Sequence, residues 1–399
     1  MNILFIAPRF HTNQFLIVKG LLKNGHKVNF FVQSFGATED HSLVSPILMQ
    51  ESFVSKFINR IIKCINNGNI NKDSNLSILF FFPSFIWLYK NIKDFKPDVV
   101  VFRNRNLTTL VGNIICKVLK IKARILYNQT ELYSGNNKRT DIKEYFLSII
   151  KTFLFPSVRI TPVLFSDFKN KNKNKRISPQ DYFVPFINEV DESALNRKYF
   201  KSDKINILDV GKYRDYKNHF LLVDAIKHLR NPQNLKVTII GQISSEQEEN
   251  YFSNLQEYIK SKKLEQVIHL RKNVEFKCMS NIYRENDIFI LTSKKEVASI
   301  SILESMANGL VTISTDSNGT ASYILEGVNG YIFKTMDSIS LSSIINKLIS
   351  NQSLIERMGR KGMDVIMNSY SFDEFYSAFN NVLETEFELS LVSEVNDEE

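Results

Sequence analysis

Cysteine is nearly missing from this chain. Cys64, Cys116 and Cys278 are odd in number and far apart, so 399 residues hold neither a disulfide framework nor a C-x-x-C metal site. That usage fits a reducing compartment, and the cytoplasm is the expected location. The six histidines show no ligand spacing, and no D-x-D pair of carboxylates occurs anywhere, so no metal site is expected. Long apolar runs are absent too. The longest, ILFFFPSFIWL (78–88), is interrupted by Pro83, whereas a spanning helix needs about 20 residues. The start, MNILFIAPRF, lacks a basic segment and a small-residue cleavage site, and it reads as a first strand rather than a signal peptide. No short-period repeat appears. With 43% apolar and 23% charged residues, the composition excludes global disorder and a small stapled scaffold. At about 100–200 residues per domain the length allows two or three domains.

What is present is an uneven charge. The net +9 splits into +16 for residues 1–185 and −7 for 186–399. A basic half suggests an anionic partner such as a membrane face, a phosphorylated lipid or a nucleic acid. A Lys- and Asn-rich bias that keeps the surface solvated accounts for the same numbers. The basic run KNKNKNKRISPQD (169–181) reads as a solvated loop.

Apolar patterning predicts alternating strands and helices. NILFIA (2–7) is a strand, FLIVKGLLKNG (15–25) a helix with Gly25 as its C-cap, and HKVNFFVQ (26–33) a strand. Strands follow at 97–104, 123–129 and 158–163, with helices at 108–120 and 143–155. Residues 36–96 read as an amphipathic helix (52–65), a polar connector (66–76) and an aromatic-rich segment (78–95). A second series begins at INILDVG (205–211). Its strands are 236–241, 267–270, 287–293, 310–316 and 330–333. Its helices are 218–230, 246–262, 276–285, 299–309, 319–326, 338–350, 352–368 and 372–388. Such βαβ repetition argues for parallel sheets with helices on both faces. The expected domains are 1–187, 188–371 and a C-terminal segment 372–399, a helix that packs back on the first domain and ends in an acidic tail. A gap between two such domains is the default ligand site.

Two segments carry chemistry. In SKKEVASISILESMANGLVTIS, Glu296 and Glu304 stand eight positions apart, one in the loop after a buried strand and one inside the next helix. Ala298, Ser299 and Ile300 lie between them and offer free backbone N–H groups at the helix start. Such an end favours anions, while carboxylates accept hydrogen bonds from hydroxyls. A capped surface helix with solvated glutamates has the same spacing. In VGKYRDYKNHF, a strand ends at Gly211 and the turn bears Lys212, Arg214 and Lys217, three cations that suit a diphosphate or equally a basic surface turn. Near the amino terminus, His11 and Asn13 follow a strand end and either face a ligand gap or, at Thr12 or Asn13, cap a helix.

Together, in this order and about 80 residues apart, the two segments resemble the family-four retaining glycosyltransferases of the GT-B fold, with their G-R-x-x-x-x-K and E-x7-E elements. The residues are G211KYRDYK217 and E296VASISILE304, followed by SMANGLVTIS, and TDSNGTASYILEGVNGYIF (315–333) is similar to the family's continuation. The resemblance implies an α/β protein of two doubly wound, Rossmann-like domains facing a cleft. It implies transfer of a sugar, with retention and without a metal, from a nucleotide-diphosphate sugar to a glycan or lipid-linked acceptor, as in surface polysaccharide synthesis. Lys212 and Lys217 would neutralise the diphosphate and Glu296 would bind sugar hydroxyls at the reacting carbon. Glu304 would hold the ribose, with Gly211 and the amides of Ala298, Ser299 and Ile300 close by, and Ser293, Lys272 and Asn273 near the base. His11 and Asn13 would stand on the acceptor side. No cofactor beyond the donor is implied and no nucleic acid is expected. An anionic membrane on the inner face of the plasma membrane fits the basic half and the aromatic stretches 78–89 and 145–155. Those stretches equally suit a buried core.

The chain departs from the family pattern where Lys212 replaces Arg, VAS replaces a Gly-rich stretch, Val311 replaces Pro, PRFHTNQ (8–14) replaces a Gly-rich loop, and YNQTELY (127–133) lacks a His. Two other classes stay open. A nucleotide-sugar epimerase of the same fold would want carboxylates and histidines from both domains, and a non-enzymatic anion or nucleic-acid binder would show salt-sensitive binding without turnover.

Overall fold

The computed structural model describes residues 1–36, 39–57, 60, 81–127, 154–163, 176–178 and 181–391. The helix expected at 143–155, the connector at 66–76, most of the basic run and Cys64 lie outside the described residues. The chain forms two compact units. The first comprises Met1–Pro162, Asn170–Pro185 and Phe375–Glu399, and the second Val163–Lys169 and Phe186–Glu374.

The first unit holds an eight-stranded sheet. Its strands are β1 (Asn2–Ala7), β2 (Lys27–Val32), β3 (Ile47–Leu48), β4 (Val99–Arg103), β5 (Ala123–Tyr127), β6 (Val158–Thr161), β7 (Arg176–Ser178) and β8 (Asp181–Phe183). The order is β3-β2-β1-β4-β5-β6-β8-β7, with every pair parallel except β7 and β8. Strands covered on both faces must be apolar along most of their length, and ILFIA (3–7) and VVVF (99–102) are. Leu4, Ile6, Val100 and Phe102 pack with Leu88 and Ile92 of helix Phe85–Phe95 and with Val111 and Ile115 of helix Leu107–Val118. Each fully buried side chain of this size contributes about 1.5–3 kcal/mol.

The first helix starts earlier than its apolar spacing suggests, at Thr12, and runs to Lys23. Its N-cap is His11, not Thr12 or Asn13. The His11 backbone N–H donates to Gln14 Oε1 at 3.1 Å, so a side chain one turn on finishes the helix start. Asn24 is the C-cap, and Gly25 follows it at φ +78°, the left-handed conformation that glycine adopts without cost. The aromatic-rich segment divides its side chains. Leu88 and Ile92 are buried, whereas Phe85 and Ile86 are exposed.

The second unit holds a six-stranded parallel sheet of β9 (Ile205–Val210), β10 (Leu235–Gly241), β11 (Ile268–Lys272), β12 (Ile288–Leu291), β13 (Val311–Thr315) and β14 (Gly330–Phe333), in the order β11-β10-β9-β12-β13-β14. Helices follow the expected spacing at Glu246–Ser261, Ser338–Ile349 and Gln352–Ser369, and so does Phe372–Phe387, most of which belongs to the first unit. Three others are shorter or tighter than apolar spacing predicts. Residues 276–285 split into a 3-10 turn and helix Met279–Arg284, residues 319–326 form only a 3-10 turn at Gly319–Tyr323, and 299–309 contracts to Ser301–Ala307. Asn318 caps the second of these by accepting from the Thr320 N–H at 3.2 Å.

Among its parallel strands each sheet has one place where the strand order turns back. In the first it lies between β1 and β4, in the second between β9 and β12. Beyond the carboxyl ends of such a strand pair the loops diverge and leave a crevice, the general ligand position in open α/β sheets.

Candidate active site

In the second unit the two chemistry-bearing loops leave the sheet at that reversal, 212–218 after β9 and 292–300 after β12. Gly211 directly follows β9, and a Cβ there would stand 3.0 Å from Lys217 Cδ, so the missing side chain lets the lysine fold back over the strand end. Lys217 is 7% exposed, and its Nζ meets Glu296 Oε2 at 2.5 Å. Ser293, fully buried, donates its hydroxyl to the same oxygen at 3.3 Å. The Glu296 backbone is held by the 317–319 segment. Its N–H donates to Ser317 O at 3.3 Å and its carbonyl accepts from Gly319 N–H at 3.0 Å. A Cβ on Gly319 would fall 2.1 Å from Val297 O, which leaves no room for a larger residue beneath this loop.

Glu304 is the fourth residue of helix Ser301–Ala307, one turn in. Tyr283, 1% exposed, donates its hydroxyl to Glu304 Oε2 at 2.8 Å. Burial raises the Glu304 carboxyl above its ordinary pKa, and the tyrosine bond pulls it back toward ionisation. Tyr283 itself is pushed up by burial and by the neighbouring carboxylate.

Beneath Lys217 lies a second ionisable pair that spacing did not reveal. Asp209 and His219 are 1% and 0% exposed, with His219 Nε2 3.8 Å from Asp209 Oδ1. Neither imidazole nitrogen has a hydrogen-bond partner. No well-formed hydrogen bond reaches either Asp209 oxygen. The Thr292 hydroxyl, directed at Lys217 O at 3.0 Å, gives it weaker polar support. Burial pushes the Asp209 carboxyl up to about 7 against the pull of the Lys217 ammonium. Burial, reinforced by the same ammonium, pushes His219 down to about 3. The sequence signal was an acidic residue inside the mostly apolar strand INILDV.

Several expected site residues are used differently. Arg214 does not join the other two cations, because its Nε bonds Glu248 Oε1 at 2.6 Å and Glu248 is buried. The amide of Ser299 is not free. It donates to Thr320 Oγ1 at 3.1 Å, while the Ser299 hydroxyl meets that of Ser301 at 2.7 Å. Ala298 and Ile300 are half-buried, and Ile300 is the N-cap of the helix. Lys212 is half-buried in the turn, where its carbonyl accepts the Arg214 N–H at 2.8 Å. Ser293 stands under Glu296. Lys272 Nζ pairs with Glu249 at 2.8 Å, and Asn273 Oδ1 accepts the Ile243 N–H at 2.8 Å.

In the first unit, His11 accepts from Arg9 Nε at 3.4 Å, and Asn13 begins the helix with its Oδ1 buried and unpaired. Among the described residues no group of three or more His, Cys, Asp or Glu could hold a metal ion. No helix among them is long and apolar enough to cross a membrane.

Comparison with known proteins bears on both units. The family model "Glycosyl transferases group 1" matches residues 191–365, which contain both site loops. A mannosylfructose-phosphate synthase of Agrobacterium fabrum is 27% identical over 207 residues, 50% of this chain and 45% of that protein. The Staphylococcus aureus capsular polysaccharide biosynthesis glycosyltransferase CapM is 24% identical over 205 residues, 49% of this chain and 51% of CapM. The chain thus spans about half the length of these curated relatives. Among solved structures, a glycosyltransferase from Rickettsia africae aligns with a TM-score of 0.68 at 16% identity, covering 98% of this chain and 99% of that one. HepE of Anabaena, solved with UDP, aligns with a TM-score of 0.68 at 12% identity, covering 96% of this chain and 100% of HepE. These likenesses establish the fold, two parallel sheets each flanked by helices, which is the GT-B architecture.

Proposed function

We propose that the chain is a retaining, metal-independent glycosyltransferase that moves a sugar from a nucleoside-diphosphate donor to a hydroxyl of a glycan or lipid-linked acceptor in surface polysaccharide synthesis. The observation that carries this reading is the Lys217–Glu296 pair at the reversal point of the second sheet, inside the segment that the glycosyltransferase family model covers. A cation already oriented at a strand end supplies fixed charge where a diphosphate leaving group develops its own, at no cost of reorganisation.

In this reading Lys217 and Lys212 neutralise the donor diphosphate. Glu296, released in part from Lys217 by the incoming phosphates, accepts hydrogen bonds from the sugar. Glu304, oriented by Tyr283, accepts from the ribose hydroxyls. The bond between the anomeric carbon and the phosphate oxygen breaks with its electron pair going to the diphosphate. The acceptor oxygen attacks from the same face, and its proton passes to a donor phosphate oxygen. The relatives' printed names support the substrate classes, a capsular polysaccharide transferase and a sugar-phosphate synthase. A peripheral membrane location on the cytoplasmic side draws support from helix Phe85–Phe95, which exposes Phe85 and Ile86 beside Lys90 and Lys93.

The test is to incubate the purified protein with a panel of radiolabelled nucleotide sugars and a lipid-linked or oligosaccharide acceptor pool. Label should move from one donor into acceptor with the anomeric configuration kept, and Glu304→Ala should abolish the transfer while its circular dichroism stays unchanged. Donor that is only epimerised, or transfer undiminished in Glu304→Ala, would count against the reading.

A further inference from the structure

Among the described residues, two arginines are almost wholly buried, and they are treated differently. Arg197 is 5% exposed. It donates to the carbonyls of Asn308 and Asn286 at 2.7 Å each, stands 3.8 Å from Asp287 and lies over the Tyr199 ring at 4.0 Å. Arg103, 7% exposed, has no such hydrogen bonds and no described acid beside it. No described residue forms a hydrogen bond or ion pair with its guanidinium, Nη1 is sealed from solvent without a partner, and its relief is the Tyr127 ring, 5.8 Å away. The charge that faces it, from Arg9, has the same sign, and burial lowers the Arg103 pKa. A lone buried cation is among the costliest arrangements a fold can keep.

Its placement explains what it is kept for. Arg103 is the last residue of β4 and lies beside Tyr127, the last of β5, while β1 ends next to it at Ala7. This is the reversal point of the first sheet, the position at which open α/β sheets take ligands. A narrow cavity of about 20 Å³ is lined there by Ala7, Gln14, Arg103, Tyr127, Phe375 and Phe379. That is room for about one water-sized group. A whole sugar ring does not fit, whereas one oxygen of an oxyanion does. The walls are mainly apolar, so a neutral hydroxyl gains little, while an anionic oxygen meets a guanidinium through low dielectric.

We propose that this cavity is an anion subsite of the first unit, in which Arg103 takes one oxygen of a carboxylate or phosphate, and that this oxyanion is carried by the acceptor. The acceptor is then acidic, a uronic acid or a phosphate-bearing glycan. Naming the acceptor rests on the glycosyltransferase reading; the anion subsite does not.

The experiment compares wild type with Arg103→Met by thermal unfolding, titrated with glucuronate, inorganic phosphate or neutral glucose at ionic strength held constant with KCl, and separately with UDP and GDP. The wild-type midpoint should rise saturably with glucuronate or phosphate and not with glucose. Arg103→Met should raise the ligand-free midpoint by about 2–4 °C, because it removes an unpaired buried charge. The same variant should weaken the anion response at least tenfold and keep the nucleotide response. Arg103→Lys should restore part of the anion response. The proposal is overturned if wild type shows no saturable anion response, if Arg103→Met responds as wild type does, or if Arg103→Met is less stable than wild type without ligand, the sign of a structural arginine. An Arg103-dependent anion response in a protein that ignores every nucleotide would sink the donor reading and leave the subsite standing.

Discussion

The two sheets reverse their strand order in the same way, yet the charges placed at the two reversal points differ. In the second unit they are matched within the unit, Lys217 against Glu296, Tyr283 against Glu304 and Arg214 against Glu248. In the first unit Arg103 has no acid opposite it and Asn13 Oδ1 has no donor. The lesson is one of timing. A site whose charges are satisfied before the ligand arrives holds its geometry in advance, and a site left unsatisfied keeps its cost until the ligand brings the missing charge.

Breaking the matched side should have the largest effect. Lys217→Ala removes the cation and leaves Glu296 without its partner, and transfer should fall by about 10²–10³-fold in kcat. Steady-state kinetics against the best donor measures this, and a loss confined to KM would mean that Lys217 serves binding alone. Next comes Tyr283→Phe. It deletes a hydrogen bond to a partly buried carboxylate, so about 1.5–3 kcal/mol of stability should be lost in urea titration. The proportion of ionised Glu304 should fall as well, since the phenol is what holds its pKa down.

The buried pair under Lys217 sharpens the comparison, because it sits in the matched unit and is itself unmatched. Folded Asp209 keeps its proton to about pH 7, whereas the unfolded chain releases it near 4, so its contribution to stability falls as pH rises through that window. His219 acts oppositely. The folded chain stays neutral down to about pH 3 while the unfolded chain protonates near 6.5, so stability falls as pH drops through that range. The groups that couple to Asp209 are Lys217, Thr292 and the phenols of Tyr213, Tyr251 and Tyr283. Asp209→Asn removes the first slope alone. Relative to wild type it should gain roughly 2–3 kcal/mol between pH 5 and pH 8. A difference that does not change with pH would mean that Asp209 is ionised throughout. The smallest effect belongs to Lys272→Ala, whose ion pair with Glu249 is half exposed at both ends. It should change stability by less than about 0.5 kcal/mol and leave turnover alone.

The difference between the units also marks how far the sequence could be read. Strand–turn–helix segments are local, so GKYRDYK and EVASISILE announce both loops of the second site, and the folded chain brings Lys217 and Glu296 together. What escaped was non-local. Local spacing groups Arg214 with the lysines because its partner Glu248 lies 34 residues on, and it leaves the Ser299 amide free because Thr320 arrives from another loop. Asp209 interrupts a mostly apolar strand and Arg103 ends one, a visible signal whose meaning depends on what stands opposite. Helix limits slipped for a related reason. His11 and Gln14 close the first helix earlier than its apolar face begins, and residues 319–326 stop at a 3-10 turn.

The most direct test of the central claim, that Lys217 stands ready for a diphosphate, is calorimetric titration of wild type and Lys217→Met with UDP, GDP, ADP and dTDP. The account predicts saturable binding of at least one nucleotide by wild type, weakened tenfold or more in Lys217→Met. Equal affinity in the two proteins, or no binding of any diphosphate by wild type, would contradict it.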